Sequence, residues 1–229
     1  MLRIARRGAW GYAPENTLEA FRKATQIDCD VVEFDVHRTH DNQVVIMHDH
    51  NVRRTTDAVG NIHDLTLREL RRFHEPNGES VPTLEEVLAI VKPTRRMMVD
   101  IKDHHMEELV LSVLRREQVM DAAIVDSDFA DVIQQIRMLD RNITVYLGGV
   151  TPEVEHEVVR EAKKIHADMI KVKNTYVTPA LVEYAHRHGV GIYAWGAERI
   201  PDLQDLVDMG VDAIVCMFPD KIPLSTVVP

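Results

Sequence analysis

The chain has 229 residues, of which 45% are hydrophobic, and its formal net charge at pH 7 is −10. This balance suits one globular domain and, without a long basic run, argues against binding to nucleic acid or to a membrane surface. Two cysteines, Cys29 and Cys216, are too few for a disulfide framework and favour a cytoplasmic protein. No apolar run is long enough for a signal peptide or a membrane span, and we expect neither.

Short apolar segments, many of them β-branched, alternate with helical patterns along the chain and are typical of β-strands. There are eight: Leu2–Ala5, Val31–Val36, Met97–Ile101, Ala122–Val125, Ile143–Leu147, Met169–Val172, Gly191–Trp195 and Ala213–Cys216. Helix starts are indicated between them by capping threonines, two of which precede a proline. These are Thr17, Thr83, Thr151-Pro152 and Thr178-Pro179, and the glycines placed to end helices are Gly189 and Gly210.

Eight strands joined by helices predict an α/β fold, a single (β/α)₈ TIM barrel over residues 1–229. A doubly wound open sheet is the alternative, although no GxGxxG or P-loop motif supports a nucleotide site. The interval between the second and third strands, residues 37–96, is too long for one simple unit. It contains another apolar run, Val44–Met47, and we expect a small insertion at about residues 51–82 on the active-site side.

The second predicted strand carries two carboxylates, Glu33 and Asp35, on one face because residues two apart in a strand point the same way. Like charges this close repel each other unless a cation lies between them, and carboxylates are the ligands of hard divalent cations. In a TIM barrel, catalytic groups lie at the carboxyl ends of the strands. The other chemically notable residues at strand ends are Arg6 and Arg7 after the first strand, Asp100 and Lys102 at the end of the third, and Trp195 at the end of the seventh.

With these residues, the sequence resembles the glycerophosphodiester phosphodiesterase family essentially from end to end, most densely from residue 4 to 102. The matching stretches are Arg6-Arg7-Gly8, Pro14-Glu15-Asn16-Thr17, Glu33-x-Asp35 with Thr39 and Asp41, His48-Asp49, Arg54-Thr55-Thr56, Asp64-Leu65-Thr66, Pro82-Thr83-Leu84-Glu85-Glu86, Asp100-x-Lys102, Trp195, Gly210-Val211-Asp212 and Pro219-Asp220. The combination is specific, whereas no single stretch would suffice.

The resemblance implies a TIM barrel that cleaves glycerophosphodiesters, or lysophospholipid-like relatives, to glycerol 3-phosphate and an alcohol with a divalent metal (Mg²⁺ or Ca²⁺, with Mn²⁺ as a further candidate). By the resemblance, the metal ligands would be Glu33, Asp35 and Asp100, although the family more often has Glu at the third position. Lys102 would hold a phosphoryl oxygen and His48 would be a general acid/base. We expect Arg7 and Trp195 to contact the substrate, Arg7 through charge-assisted hydrogen bonds.

The first motif departs from the family pattern, which reads His-Arg-Gly and uses its His as the second acid/base residue. Arg6 stands there, and an arginine with a pKa above about 12 cannot act as a base near neutral pH. Activity could be strongly reduced, or another group could substitute: His37, His50 or a metal-bound hydroxide. The third alternative is a binding relative without catalysis. Trp10 also replaces a small residue of the family pattern.

One weaker hypothesis uses His48-Asp49-His50 as an HxH zinc motif in a different metallohydrolase. Such barrels need further histidine ligands on later strands, and the predicted strands Met169–Val172 and Gly191–Trp195 contain none. The sequence leaves open the head group of the substrate, the identity of the metal and whether the chain forms a homo-oligomer.

Overall fold

The computed structural model describes residues 1–149, 151 and 155–223, and its main element is a nine-stranded sheet. The strands are β1 (Leu2–Ala5), β2 (Val31–Arg38), β3 (Val44–Ile46), β4 (Arg96–Ile101), β5 (Ala123–Ser127), β6 (Thr144–Leu147), β7 (Met169–Lys173), β8 (Gly191–Trp195) and β9 (Ala213–Cys216). The helices are α1 (Leu18–Ala24), α2 (Leu67–Leu70), α3 (Leu84–Val91), α4 (Glu107–Arg116), α5 (Ala130–Leu139), α6 (Glu155–Lys164), α7 (Pro179–Arg187) and α8 (Ile200–Met209).

Eight of the strands form a closed parallel barrel in the order β1-β9-β8-β7-β6-β5-β4-β2, and pairing of β1 with β2 closes it. Helices connect consecutive barrel strands, so the predicted (β/α)₈ fold is confirmed and the open sheet is excluded. The extra strand, β3, pairs antiparallel with the end of β2, as the apolar run Val44–Met47 suggested. Among the described residues, no helix is long and apolar enough to cross a membrane.

The insertion between β3 and α3 has its own small apolar core beside the barrel. The insertion consists of two 3₁₀ turns (Val52–Arg54 and Ile62–Asp64) and the short helix α2. Their buried side chains pack with one face of β3, and this cluster comprises Val45, Met47, Val52, Ile62, Leu70 and Val81. The insertion therefore packs against β3, which is paired with the end of β2.

Successive side chains of β2 point to opposite faces of the strand, as the sequence predicted, and the two acidic side chains share one face. Val32, Phe34 and Val36 pack outward against the helices in the main core. Val31 lies in a separate cluster with Met98, Ile124 and Tyr193 that fills the barrel interior. Glu33 and Asp35 follow Val31 on the same inward face, above this apolar layer.

Most helix boundaries agree with the capping signals of the sequence. Thr83 and Glu86 form a reciprocal capping box on α3, and Thr178 caps α7 with Pro179 in its first turn. Thr17 caps α1 by accepting a hydrogen bond from the backbone N–H of Ala20, and Gly210 ends α8 in the left-handed conformation. The start predicted at Thr151-Pro152 involves Pro152, which lies outside the described residues.

Candidate active site

Three buried carboxylates meet at the carboxyl end of the barrel. Glu33 and Asp35 come from β2, and the register of the sheet places Asp100 of β4 beside Asp35. Carboxylate oxygens of the three residues lie within 4.8 Å of one another, and each side chain is at least nine-tenths buried. Three carboxylates that are this close and this desolvated can all stay ionised only if positive charge lies beside them.

The electrostatics of this trio fit a bound divalent cation. Burial, together with the charges of Asp35 and Asp100, raises the pKa of Glu33 to about 8. One oxygen of Asp100, Oδ1, is buried without a hydrogen-bond partner among the described residues. Three carboxylates with a free lone pair are a donor set for Mg²⁺, Ca²⁺ or Mn²⁺, so the residues present fit the expected metal.

Two cationic side chains flank the trio. Lys102 Nζ lies 3.0 Å from Asp35 Oδ1 and 2.6 Å from Asp100 Oδ2, while Arg7 Nε lies 3.3 Å from Asp35 Oδ2. Burial opposes the charged form of Asp35, but Lys102 and Arg7 outweigh it and hold the pKa of Asp35 well below its ordinary value. Arg7 has a φ of 48°, and its backbone N–H donates to Glu33 Oε2 at 2.7 Å.

Arg6 lies between two tryptophan rings. Its guanidinium carbon is 5.3 Å from the ring centroid of Trp10 and 5.5 Å from that of Trp195. Both distances are typical of cation–π contacts. Within the described part of the chain, the Arg6 side chain has neither an ion pair nor a hydrogen bond. The two unusual residues of the first loop, Arg6 and Trp10, are therefore in contact with each other.

His48 is oriented by a chain of ion pairs that reaches back to the first loop. Its Nδ1 lies 2.6 Å from Asp49 Oδ1, and Arg54 makes two hydrogen bonds to Asp49 and two to Glu15. Glu15 in turn accepts a hydrogen bond from Arg7 at 2.9 Å. Because Asp49 accepts the Nδ1 hydrogen, the neutral His48 ring keeps its lone pair on Nε2.

A second ionic cluster deeper in the barrel was not predicted. Lys171 Nζ on β7 lies 3.2 Å from Asp100, 3.0 Å from Asp126 and 2.7 Å from Asp128. Tyr193 donates to Asp126, and burial raises the pKa of Asp126 to about 7. Lys171 and Asp126 are charged residues inside apolar strands, which is the same signal that identified Glu33 and Asp35.

A cavity of about 330 Å³ opens above these groups. All eight residues that the sequence nominated line it, together with the cluster around Lys171: Arg6, Arg7, Glu33, Asp35, His48, Asp100, Lys102 and Trp195. His37 and His50 are not among its lining residues; they contact Asp103 instead. Of the histidines in the described ranges, His48 alone lines this cavity.

Comparisons with known proteins agree on one family. The model of the glycerophosphoryl diester phosphodiesterase family matches residues 7–221. YhdW of Bacillus subtilis (strain 168) is 32% identical over 231 residues, covering 96% of this chain and 95% of YhdW. A glycerophosphodiester phosphodiesterase of Caldanaerobacter subterraneus subsp. tengcongensis is 29% identical, with coverage of 96% and 95%. An Oleispira antarctica phosphodiesterase, solved in complex with the product sn-glycerol-3-phosphate, superposes with a TM-score of 0.89 at 24% identity, covering 96% of this chain and 94% of its own.

Proposed function

Because the chain belongs to the glycerophosphoryl diester phosphodiesterase family and is therefore a phosphodiesterase, we propose that it hydrolyses glycerophosphodiesters with the help of a divalent metal. The products are glycerol 3-phosphate and an alcohol. The single observation that carries this proposal is the cavity in which three buried carboxylates, Arg7, Lys102 and His48 converge. The sn-glycerol-3-phosphate bound by the Oleispira antarctica relative supports this substrate class.

Six polar groups of the cavity have roles in this scheme. Glu33, Asp35 and Asp100 would hold the metal, which would supply positive charge that neutralises the phosphodiester. Arg7 and Lys102 bind phosphoryl oxygens through charge-assisted hydrogen bonds. Trp195 forms an apolar wall beside them. Holding the phosphate beside a glycerol hydroxyl replaces a bimolecular encounter by an internal attack on phosphorus. This attack forms a cyclic phosphate as the bond to the alcohol breaks, and water then opens the cyclic phosphate to give glycerol 3-phosphate.

His48 is the proposed proton-transfer group. Burial lowers the pKa of His48, although Asp35 and Asp49 oppose the shift, so the ring is neutral at pH 7 and can accept a proton. Asp49 fixes the tautomer that leaves the Nε2 lone pair free to take the proton of the attacking hydroxyl. His48 can transfer only one proton at a time, and it takes the proton of the attacking hydroxyl. The departing alcohol must also receive a proton.

Arg6 supports a second candidate function. A guanidinium between Trp10 and Trp195 can stabilise negative charge but cannot move a proton. Losing one acid/base group typically costs about 10²–10⁴-fold in rate. On this observation, the chain would be a phosphodiester-binding relative whose catalysis is impaired. The cytoplasmic location of the protein, which we expect from its cysteine usage, remains a prediction.

The test is a paired assay of the parent chain and Arg6→His on glycerophosphocholine and glycerophosphoethanolamine, with Mg²⁺, Ca²⁺ or Mn²⁺. We expect metal-dependent release of glycerol 3-phosphate by the parent, and release about 10²-fold faster by Arg6→His. Glu33→Ala serves as the inactive control. Turnover by Arg6→His alone would favour the binding relative, and failure of both proteins with every metal would refute the proposed substrate class.

A further inference from the structure

A second group of metal-ligating side chains lies outside the cavity, beside the loop that carries His48. It consists of His37 near the end of β2, His50 two residues beyond His48, and Asp103 after β4. Their ligand atoms lie within 4.8 Å of one another. His37 Nδ1 is 3.0 Å from Asp103 Oδ2, and His50 Nδ1 is 3.3 Å from Asp103 Oδ1.

The hydrogen bonds of His37 leave a lone pair that faces the carboxylate. His37 Nε2 lies 3.2 Å from the backbone oxygen of His48, and a carbonyl oxygen can only accept, so Nε2 carries the hydrogen. In the neutral ring, Nδ1 then has no hydrogen and points at Asp103. His37 is only 1% exposed. Two acceptors that face each other need a cation between them, which is either a proton or a metal ion.

We propose that His37 Nδ1, His50 Nδ1 and Asp103 bind a transition-metal ion of the Zn²⁺ class. Zinc bonds to nitrogen and carboxylate oxygen are about 2.0–2.2 Å long, which separates neighbouring ligand atoms of a tetrahedral site by roughly 3.3–3.6 Å. The observed 3.0 and 3.3 Å need only small side-chain adjustments to reach such a site.

The groups around these ligands support the same assignment. Metal-binding histidines commonly donate their other ring N–H to a backbone carbonyl, as His37 does to His48. The carboxylate is oriented by the backbone N–H of Arg38, which donates to Asp103 Oδ2 at 3.0 Å. The side chain of His50 is 69% exposed, so the ion can enter from solvent and keep water in the remaining position.

Ligand chemistry distinguishes this site from the carboxylate trio. Imidazole nitrogen suits Zn²⁺ and its neighbours in the first transition row, whereas an all-oxygen set suits Mg²⁺, Ca²⁺ and Mn²⁺. The two sites can therefore be occupied together. The second ion would join the end of β2, the His48-Asp49-His50 segment and the loop after β4, and would stabilise the loop that carries His48.

The test is calorimetric titration of Zn²⁺ into the full chain in saturating Mg²⁺, which protects the carboxylate trio. The variants are His50→Ala and the matched control His63→Ala, because both side chains are 69% exposed and each lies near an aspartate. We expect one Zn²⁺ per parent chain, at least 10-fold weaker binding by His50→Ala, and parent-like binding by His63→Ala. Asp103→Asn should weaken binding as His50→Ala does.

A Zn²⁺-dependent rise in the unfolding temperature, lost in His50→Ala, provides a readout that does not depend on activity. Parent-like Zn²⁺ binding by His50→Ala would overturn the proposal. Absence of Zn²⁺ binding by the parent would also overturn it and leave His37 and Asp103 as an ion pair. Loss of binding in Glu33→Gln, with retention in His50→Ala, would assign the ion to the carboxylate trio instead.

Discussion

At the residue scale, Arg6 and Trp10 lie in contact, and these are the two first-loop residues at which the resemblance indicates a departure from the family pattern. Trp10 and Trp195 enclose the Arg6 guanidinium, so the arginine is held at the cavity by aromatic contacts in place of an ion pair. An isolated exposed guanidinium would be mobile, whereas one between two rings is ordered. Substituting Arg6 therefore also changes what the two rings contact, and Arg6→His should leave a gap between them.

His48→Gln should lower kcat on glycerophosphodiesters by about 10²–10⁴-fold, because it removes the histidine that lines the cavity while keeping a polar side chain there. Steady-state kinetics at saturating metal measure this loss. The metal-dependent rise in the unfolding temperature should not change, since His48 is outside the carboxylate trio. Unchanged kcat would exclude His48 from proton transfer.

Glu75, in the insertion, makes the stability of the folded protein depend on pH. Burial raises the pKa of Glu75 from its ordinary value of 4.5 to about 8, and its Oε2 is buried without a partner among the described residues. The folded state therefore prefers the protonated form. Its stabilising contribution is complete below pH 4.5 and is lost as the pH rises through 8.

Glu75→Gln should consequently become more stable than the parent as the pH rises, with a difference of about 1–3 kcal/mol in the free energy of unfolding at pH 9. Urea unfolding at pH 5, 7 and 9 measures the trend. Glu108→Gln, at an exposed position, is the control and should show no such slope. A constant difference at all three pH values would contradict the assignment.

At the element scale, the insertion and the barrel strands each contribute charges that complete the site. The insertion provides Arg54, which joins Asp49 to Glu15 and so connects the His48 loop with the Arg7 loop. Strand β7 provides Lys171, which reaches across the barrel to Asp126 of β5. Burial favours the neutral form of Lys171, but Asp100 and Asp126 outweigh it and raise its pKa well above the ordinary value.

Lys171→Met should lower the free energy of unfolding by about 3–5 kcal/mol, because it leaves the buried Asp126 carboxylate without its counterion. Adding Asp126→Asn should recover part of the loss, and urea unfolding of both single variants and the double variant measures the coupling. Lys173→Met, two residues further along β7, is the control because its ammonium contacts Trp195 and Tyr176 rather than this cluster. Strictly additive effects of Lys171→Met and Asp126→Asn would contradict the pairing.

At the scale of the whole molecule, the pairing of β2 with β4 brings distant parts of the chain together at the carboxylate trio. Residues 33 and 100 are far apart in sequence, yet adjacent parallel strands place their carboxylates on one inward face. A cation bound there links β2 with β4 and binds the folded state alone. Metal binding should therefore stabilise the fold as a whole.

Mg²⁺, Ca²⁺ or Mn²⁺ at about 100 times its dissociation constant should add about 2.7 kcal/mol to the free energy of unfolding. Thermal unfolding with and without metal measures the effect as a rise in Tm. Glu33→Gln, which keeps the size of the side chain and removes its charge, should abolish most of the rise. An equal rise in Glu33→Gln and the parent would place the metal elsewhere.

The sequence by itself determined the barrel and eight of the residues that line its cavity. Local periodicity decides which side of a strand faces inward, and that was enough to put Glu33 and Asp35 on one face. Their grouping with Asp100 was implied by the family resemblance. Prediction was weaker where polar residues interrupt an apolar run: the fourth predicted strand was expected to end at Val125, but the corresponding strand β5 continues through Asp126 to Ser127. Lys171 lay inside the predicted strand Met169–Val172 but was not nominated as a site residue.

Only the tertiary structure decided which charges pair. Arg54 with Glu15, Lys171 with Asp126, Arg6 with Trp195, and His50 with Asp103 are all contacts between segments that are distant in sequence and are brought together by the arrangement of the barrel strands. Sequence patterns report on single elements, because side-chain periodicity is a local property. Contacts across the barrel depend on how the elements are arranged, so neither the ion-pair chain behind His48 nor the His37, His50 and Asp103 cluster could be predicted from sequence.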